Sequence, residues 1–173
     1  MLLETFILLA VSIYGAGLLF SAVKGAPYVP TSKKELDKIL RGVPLKKNAS
    51  FVELGSGDGR MVRYAVKQYN QIGVGIEINP LLVGWSNYLA KKEGISKNVT
   101  FLKKNIFDYS LKNVDYLYLF LMPDLLSSLT PKFKKELKKG TVIISHGFKL
   151  PEFKSHLIHT IPEKAFSTYY YKI

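Results

Sequence analysis

The stretch Val52-Glu53-Leu54-Gly55-Ser56-Gly57-Asp58-Gly59-Arg60 places carboxylates on either side of a run of alternate glycines. It follows an apolar run ending at Phe51 and opens an amphipathic segment, so it reads as strand, tight turn and helix. Glycines at 55, 57 and 59 remove Cβ atoms where the backbone must turn sharply and approach a ligand. A dinucleotide site has the spacing G-x-G-x-x-G and sets a diphosphate on a helix N-terminus. Here the spacing is E-x-G-x-G-x-G, and Glu53 and Asp58 would repel a diphosphate. They suit a cation that also carries an α-amino group. S-adenosylmethionine, with a sulfonium, an ammonium and no phosphate, is such a ligand. Its candidate cradle is Glu53, Gly55, Ser56, Gly57, Asp58 and Gly59.

A second acid supports this reading. Residues 73–80, Gly-Val-Gly-Ile-Glu-Ile-Asn-Pro, read as a buried strand that ends at Glu77, 18 residues beyond Gly59. A carboxylate at about that distance can accept from both ribose hydroxyls, as it does in dinucleotide folds. Ile78 and Asn79 complete this part of the candidate site. After the next strand come Asn105 and Ile106, and by resemblance to S-adenosylmethionine-dependent enzymes, in which the loop after the third strand edges the adenine, they are expected at its edge and face. The Asn105 amide can accept from the adenine amino group, or it can serve only as a turn residue.

The elements that position these residues follow from periodicity. Asp58 is expected as the N-cap of a helix that buries Val62, Ala65, Val66 and Tyr69. Asn79 and Pro80 open a second helix, with Leu81, Leu82, Trp85, Tyr88 and Leu89 as its expected buried face. Residues 99–102, 115–121 and 141–145 read as strands, and Thr130-Pro131 as a helix start leading to a stop at Gly140. Residues 157–161 and 166–171 would close the sheet as an antiparallel pair. The sum is an α/β fold of seven strands, five joined by parallel crossovers, with ligands at the carboxyl ends of the strands.

Length allows one domain and an appendage. The absence of cysteine excludes disulfides, thiolate metal sites and a cysteine nucleophile. His146, His156 and His159 have no acid at ligand spacing, so no metal is expected. The appendage is N-terminal. Residues 5–23 carry no charge and, as a helix, would span roughly 30 Å, the thickness of a bilayer core. Lysines follow that run and no basic region precedes it. The expectation is therefore a transmembrane anchor (residues 1–24) with the rest of the chain on the cytoplasmic side. Residues 25–47 form a linker with a Ser32/Glu35 capping box and a short helix burying Leu36, Ile39 and Leu40. The methyltransferase domain is expected at 48–173.

The segments PYVPTSKKEL, VELGSGDGR, GIEINPLLV and LMPD, in that order behind the apolar run, resemble the membrane-anchored seven-β-strand protein-lysine methyltransferases. Mitochondrial members of that family modify the ATP synthase c-subunit and the adenine nucleotide translocase, and archaeal relatives methylate protein lysines broadly. The likeness covers nearly the whole chain. LGSGDGR is common among methyltransferases, whereas PYVPTSKK narrows the match. The resemblance implies a class I, Rossmann-like fold, S-adenosylmethionine as methyl donor, cofactor contacts at Gly55, Gly57, Asp58 and Glu77, and a protein lysine as acceptor. Asn105 and the short C-terminal half depart from the family pattern.

Methyl transfer to an amine is an in-line displacement for which positioning and desolvation suffice, so no obligatory catalytic side chain is expected. Asp124, the acid after the fourth strand, could orient the acceptor or only cap a helix. Tyr28, Pro30, Phe148 and the run Tyr169-Tyr170-Tyr171 are candidates to line the substrate mouth. The whole +12 charge lies in residues 25–173, since Glu4 and Lys24 cancel, and suits anionic lipid or RNA. An RNA methyltransferase is the chief rival reading, although residues 121–124 lack the Asn/Asp-Pro-Pro-aromatic motif of base-amino enzymes. A small-molecule or lipid methyltransferase and a non-catalytic, membrane-anchored cofactor-binding protein are the others.

Overall fold

Ser32 opens a helix in a computed structural model that describes residues 31–173, with Glu4, Thr5 and Leu8 before them. Its hydroxyl accepts from the Glu35 N–H at 3.3 Å and caps α1 (Lys33–Arg41). The expected capping box is half made, because the Glu35 carboxylate turns toward His146, 3.5 Å from Nε2. Leu36, Ile39 and Leu40 are buried, as their spacing predicts. The Tyr170 hydroxyl donates to the Ile39 carbonyl at 2.6 Å, which ties this helix to the strand that carries Tyr170.

The chain then alternates β1 (Ser50–Leu54), α2 (Arg60–Tyr69), β2 (Ile72–Glu77), α3 (Pro80–Lys92), β3 (Val99–Lys103), β4 (Tyr116–Leu119), α4 (Pro123–Glu136) and β5 (Val142–His146). A 3-10 turn (Pro151–His156) leads to β6 (Leu157–Ile161) and β7 (Thr168–Lys172). The strand order is β3-β2-β1-β4-β5-β7-β6. β1 to β5 pair in parallel, and β7 runs antiparallel between β5 and β6. The order reverses between β1 and β4, which makes their carboxyl ends the expected ligand crevice.

Alternation along the strands sorts the core into two faces. Phe51, Tyr116, Tyr118, Ile144 and Tyr170 pack under α1 and α2. Val52, Leu54, Leu117, Leu119, Ile143 and Tyr171 pack against Leu126, Leu129 and Phe133 of α4. The tyrosine run is thus mainly structural: Tyr170 and Tyr171 are core residues, and the Tyr171 hydroxyl accepts from the Leu150 N–H at 2.9 Å.

Other expectations are corrected. Gly59, not Asp58, is the N-cap of α2, because the turn needs a left-handed residue there. α3 does start at Asn79 and Pro80, but it buries Leu82, Ser86 and Ala90, while Leu81, Trp85 and Tyr88 are each about half exposed. A small residue is needed at Ser86, because Gly59 packs closely against it and against Phe101. α4 begins at Pro123 and passes through Pro131 without restarting. It ends at Glu136, short of the expected stop at Gly140. The Thr130 hydroxyl bonds the Leu126 carbonyl beside that proline.

Glu4, Thr5 and Leu8 are helical and exposed. The remainder of the 5–23 run, along with Tyr28 and Pro30, lies outside the described residues. Among the described residues, no helix is long and apolar enough to cross a membrane.

Candidate functional site

The turn after β1 is built on Gly55, whose φ is +77° and where an added Cβ would stand 2.9 Å from Leu121. The N–H groups of Gly55 and Ser56 both donate to the Ile76 carbonyl, at 2.8 and 2.9 Å, and bind the turn to the end of β2. Glu77 reciprocates. One of its oxygens accepts from the Gly57 N–H and the other from the Asn79 N–H, each at 2.9 Å. Each carboxylate oxygen retains acceptor capacity after one such bond, so a fixed Glu77 could still receive a ribose. Asn79 accepts from the Leu81 N–H at 2.9 Å and fixes the start of α3. Ser86 of that helix donates to the Gly57 carbonyl at 3.2 Å.

Glu53 stands one strand from Tyr118 in the register of β1 and β4. It is buried, and its Oε2 has no hydrogen-bond partner. Burial pushes its carboxyl well above the ordinary carboxylate range; the Asp58 charge adds to that, and Glu77 adds less. The Val62 N–H, in the first turn of α2, opposes the rise. Burial, helped by Glu53, likewise pushes the Tyr118 hydroxyl well up. Three acids around one glycine turn, one of them buried with an open oxygen, form a receptor for positive charge.

Asp58 takes a two-pronged contact from Arg60, with Nε at 3.0 Å from Oδ1 and Nη2 at 2.8 Å from Oδ2. Arg60 Nη1 also donates to the Thr31 carbonyl at 3.0 Å. A single guanidinium therefore joins the glycine turn to the entry of α1, as a residue with a planar fork of donors can.

The remaining predicted residues lie around the rim. Ile78 is half-buried after β2. Asn105 is exposed and accepts from the Phe107 N–H at 3.1 Å, a turn bond that occupies part of its oxygen; Ile106 packs partly on the core. Asp124 is exposed in the first turn of α4, where a negative charge favours the helix. Met122 holds the cap position in its place. Phe148 is half-buried beyond β5, and its carbonyl accepts from Ser145 at 2.7 Å. Among the described residues, no group of three or more His, Asp or Glu is placed to hold a metal.

Sequence reasoning missed His146. It is buried at the end of β5, with Nδ1 2.9 Å from the Thr168 hydroxyl and its ring edge-on to Phe120. Three elements supply its neighbours, so no local pattern announces it. Burial pulls its pKa down from 6.5 to about 4. A group depressed in the fold supports stability above its unfolded pKa and loses that support as pH falls through the folded value. The melting temperature should therefore drop as pH falls from about 6.5 to about 4, and His146→Gln should flatten that slope. A thermal scan against pH, comparing the two proteins, checks this; identical slopes would rule His146 out.

The model of the ANTKMT methyltransferase domain matches residues 53–156, a span that opens at Glu53 and includes every described acid of the turn. The chain is 33% identical over 154 residues to a Caenorhabditis elegans lysine N-methyltransferase of the ATP synthase c-subunit, covering 84% of this chain and 80% of the relative. It is 32% identical over 131 residues to a protein-lysine N-methyltransferase of Saccharolobus islandicus (strain REY15A), covering 75% and 81%. A solved Salinibacter ruber RNA methyltransferase in complex with S-adenosyl-L-homocysteine superposes with a TM-score of 0.78 at 30% identity, over 84% of this chain and 94% of that one. The site fits the same class of ligand, since the open Glu53 oxygen and the surrounding acids match an ammonium and a sulfonium. The seven-stranded fold, the acidic glycine turn and these likenesses together place the chain in the ANTKMT methyltransferase family, as an S-adenosylmethionine-dependent enzyme.

Proposed function

We propose that the chain is a protein-lysine N-methyltransferase acting on a membrane or membrane-proximal protein. The observation that carries this is likeness to relatives named for lysine methylation, over most of their length, combined with an acidic site that favours cations. In this reading Glu53 receives the cofactor ammonium, Glu77 the ribose hydroxyls, and residues 55–59, with Ile78 and Asn79, the backbone-facing side. Asn105 and Ile106 border the adenine. When bound, S-adenosylmethionine supplies an electrophilic methyl on a sulfonium, open to in-line displacement by a neutral amine.

The protein's part is to hold, desolvate and orient. Free lysine is only roughly 0.1% neutral near physiological pH, so the mouth must favour the uncharged amine. Apolar walls do so by penalising charge. Phe148, Pro30 and Tyr28 are the proposed walls, and Asp124 is the acid proposed to orient the incoming ammonium. Residues 5–23 are proposed to anchor the enzyme in a bilayer, with the catalytic domain on the cytoplasmic face, so that acceptor lysines near that surface are met at high effective concentration.

Incubating native membranes with the full-length enzyme and a methyl-labelled cofactor, followed by mass spectrometry, tests this. Label is expected on lysine of a membrane protein. The strong basic charge and the name of the Salinibacter neighbour favour one second reading, RNA methylation. Label confined to RNA would establish that reading and overturn the first.

A further inference from the structure

α3 turns its bulky side outward. Leu81, Trp85 and Tyr88 are 52%, 51% and 54% exposed and recur at i, i+4 and i+7, so they share one face. The Trp85 and Tyr88 rings stack with centroids 5.4 Å apart. The helix covers β3, the strand at one edge of the sheet. It has no acid between Pro80 and Lys92 and ends in Lys91 and Lys92. From Pro80 to Lys104 the chain carries five lysines and one acid, Glu93, which is paired with Arg63.

We propose that this face docks on an anionic bilayer surface. Tryptophan and tyrosine place an apolar body and a polar edge at the headgroup level. Lysines beside them add attraction to anionic lipid. A second copy of the chain fits poorly, because a self-matched contact would bring the Lys91 and Lys92 ends of two strongly basic molecules into one interface. The position agrees with a membrane. α3 starts at the rim that holds Glu77 and Asn79. Thr31, held by Arg60 beside that rim, is where the chain arrives from its apolar N-terminal run. Docking would lay the edge of the cofactor crevice against the lipid surface. The agreement of position rests on the proposed anchor at residues 5–23, and the docking face is independent of which substrate is methylated.

Trp85 is the only tryptophan of the chain, so its emission reports on this face alone. The full-length protein would be reconstituted into phosphatidylcholine vesicles with or without phosphatidylglycerol, using acyl chains that carry bromine as a quencher. In vesicles with phosphatidylglycerol, the emission should shift to shorter wavelength, be quenched by the brominated chains and lose access to aqueous iodide. Lys91→Gln/Lys92→Gln, at exposed positions, should move the docked-to-undocked ratio toward water by roughly thirtyfold. Emission that stays open to iodide and unquenched by lipid overturns the proposal. So does equal quenching without phosphatidylglycerol, or an unchanged ratio in the variant. Shielding that appears without lipid and grows with protein concentration would assign the face to self-association instead. Because no methylation is measured, these outcomes leave the lysine reading untouched.

Discussion

Glu53→Gln is expected to raise the melting temperature of the cofactor-free protein at neutral pH while weakening S-adenosylmethionine binding by roughly 10- to 100-fold. Both effects come from one oxygen. The Glu53 carboxyl is buried, its Oε2 lacks a partner, and burial with the Asp58 charge raises its pKa well above the ordinary range. Such a group supports the fold while protonated, and that support is lost as pH rises through the folded value. The wild-type apoprotein should therefore lose stability as pH climbs out of the carboxylate range. A glutamine, of the same shape and neutral throughout, should not. A cationic ligand reverses the preference, since an ammonium beside the ionised carboxylate offsets its desolvation. Wild-type affinity should therefore climb with pH over that window, whereas the variant stays flat and weak. Thermal scans and calorimetry across pH measure the two arms separately. A variant that binds as tightly as wild type would remove Glu53 from the cofactor site, whatever its stability.

Much of this site could be read from the sequence because its signals are local. Alternate glycines can only serve a close backbone turn, an acid at a strand end has few structural uses, and Asn79-Pro80 is a helix start wherever it lies. The parallel order followed from strand and helix alternation, and the closing antiparallel pair from two short runs near the C-terminus. What escaped depends on partners distant in the chain. The inner face of α3 carries Leu82, Ser86 and Ala90, and Ser86 stands where Gly59 approaches the helix beside Phe101, so counting bulky residues picks the wrong side. His146 is defined by Glu35, Phe120 and Thr168 from three other segments. Arg60 gave no signal as the link to Thr31, because an arginine opening a helix is ordinarily a solvated charge.

Gly59→Ala should be the most damaging single-methyl change in the turn, costing about 3 kcal/mol in unfolding free energy. Two penalties combine. Gly59 has φ +71°, where an ordinary L-residue costs about 1–2 kcal/mol. An added Cβ would also lie 2.3 and 2.4 Å from the Phe101 ring and 3.1 Å from Ser86 Cβ. Phe101 is 4% exposed, packed among Val62, Val66 and Ala90, so the ring has little room to withdraw. The two penalties can be separated within the same protein. Gly94 has nearly the same backbone, φ +73°, and nothing within 4 Å of an added Cβ. Gly94→Ala should thus show the conformational cost alone, about 1 kcal/mol. Phe101→Leu opens space at the ring, and in that background Gly59→Ala should fall toward the Gly94 value, a coupling of about 1–2 kcal/mol. Urea midpoints for the four variants, read against wild type at constant slope, give all the terms. If Gly59→Ala costs no more than Gly94→Ala, the close packing of the turn on Phe101 is wrong, and with it the reason α3 turns Trp85 and Tyr88 outward.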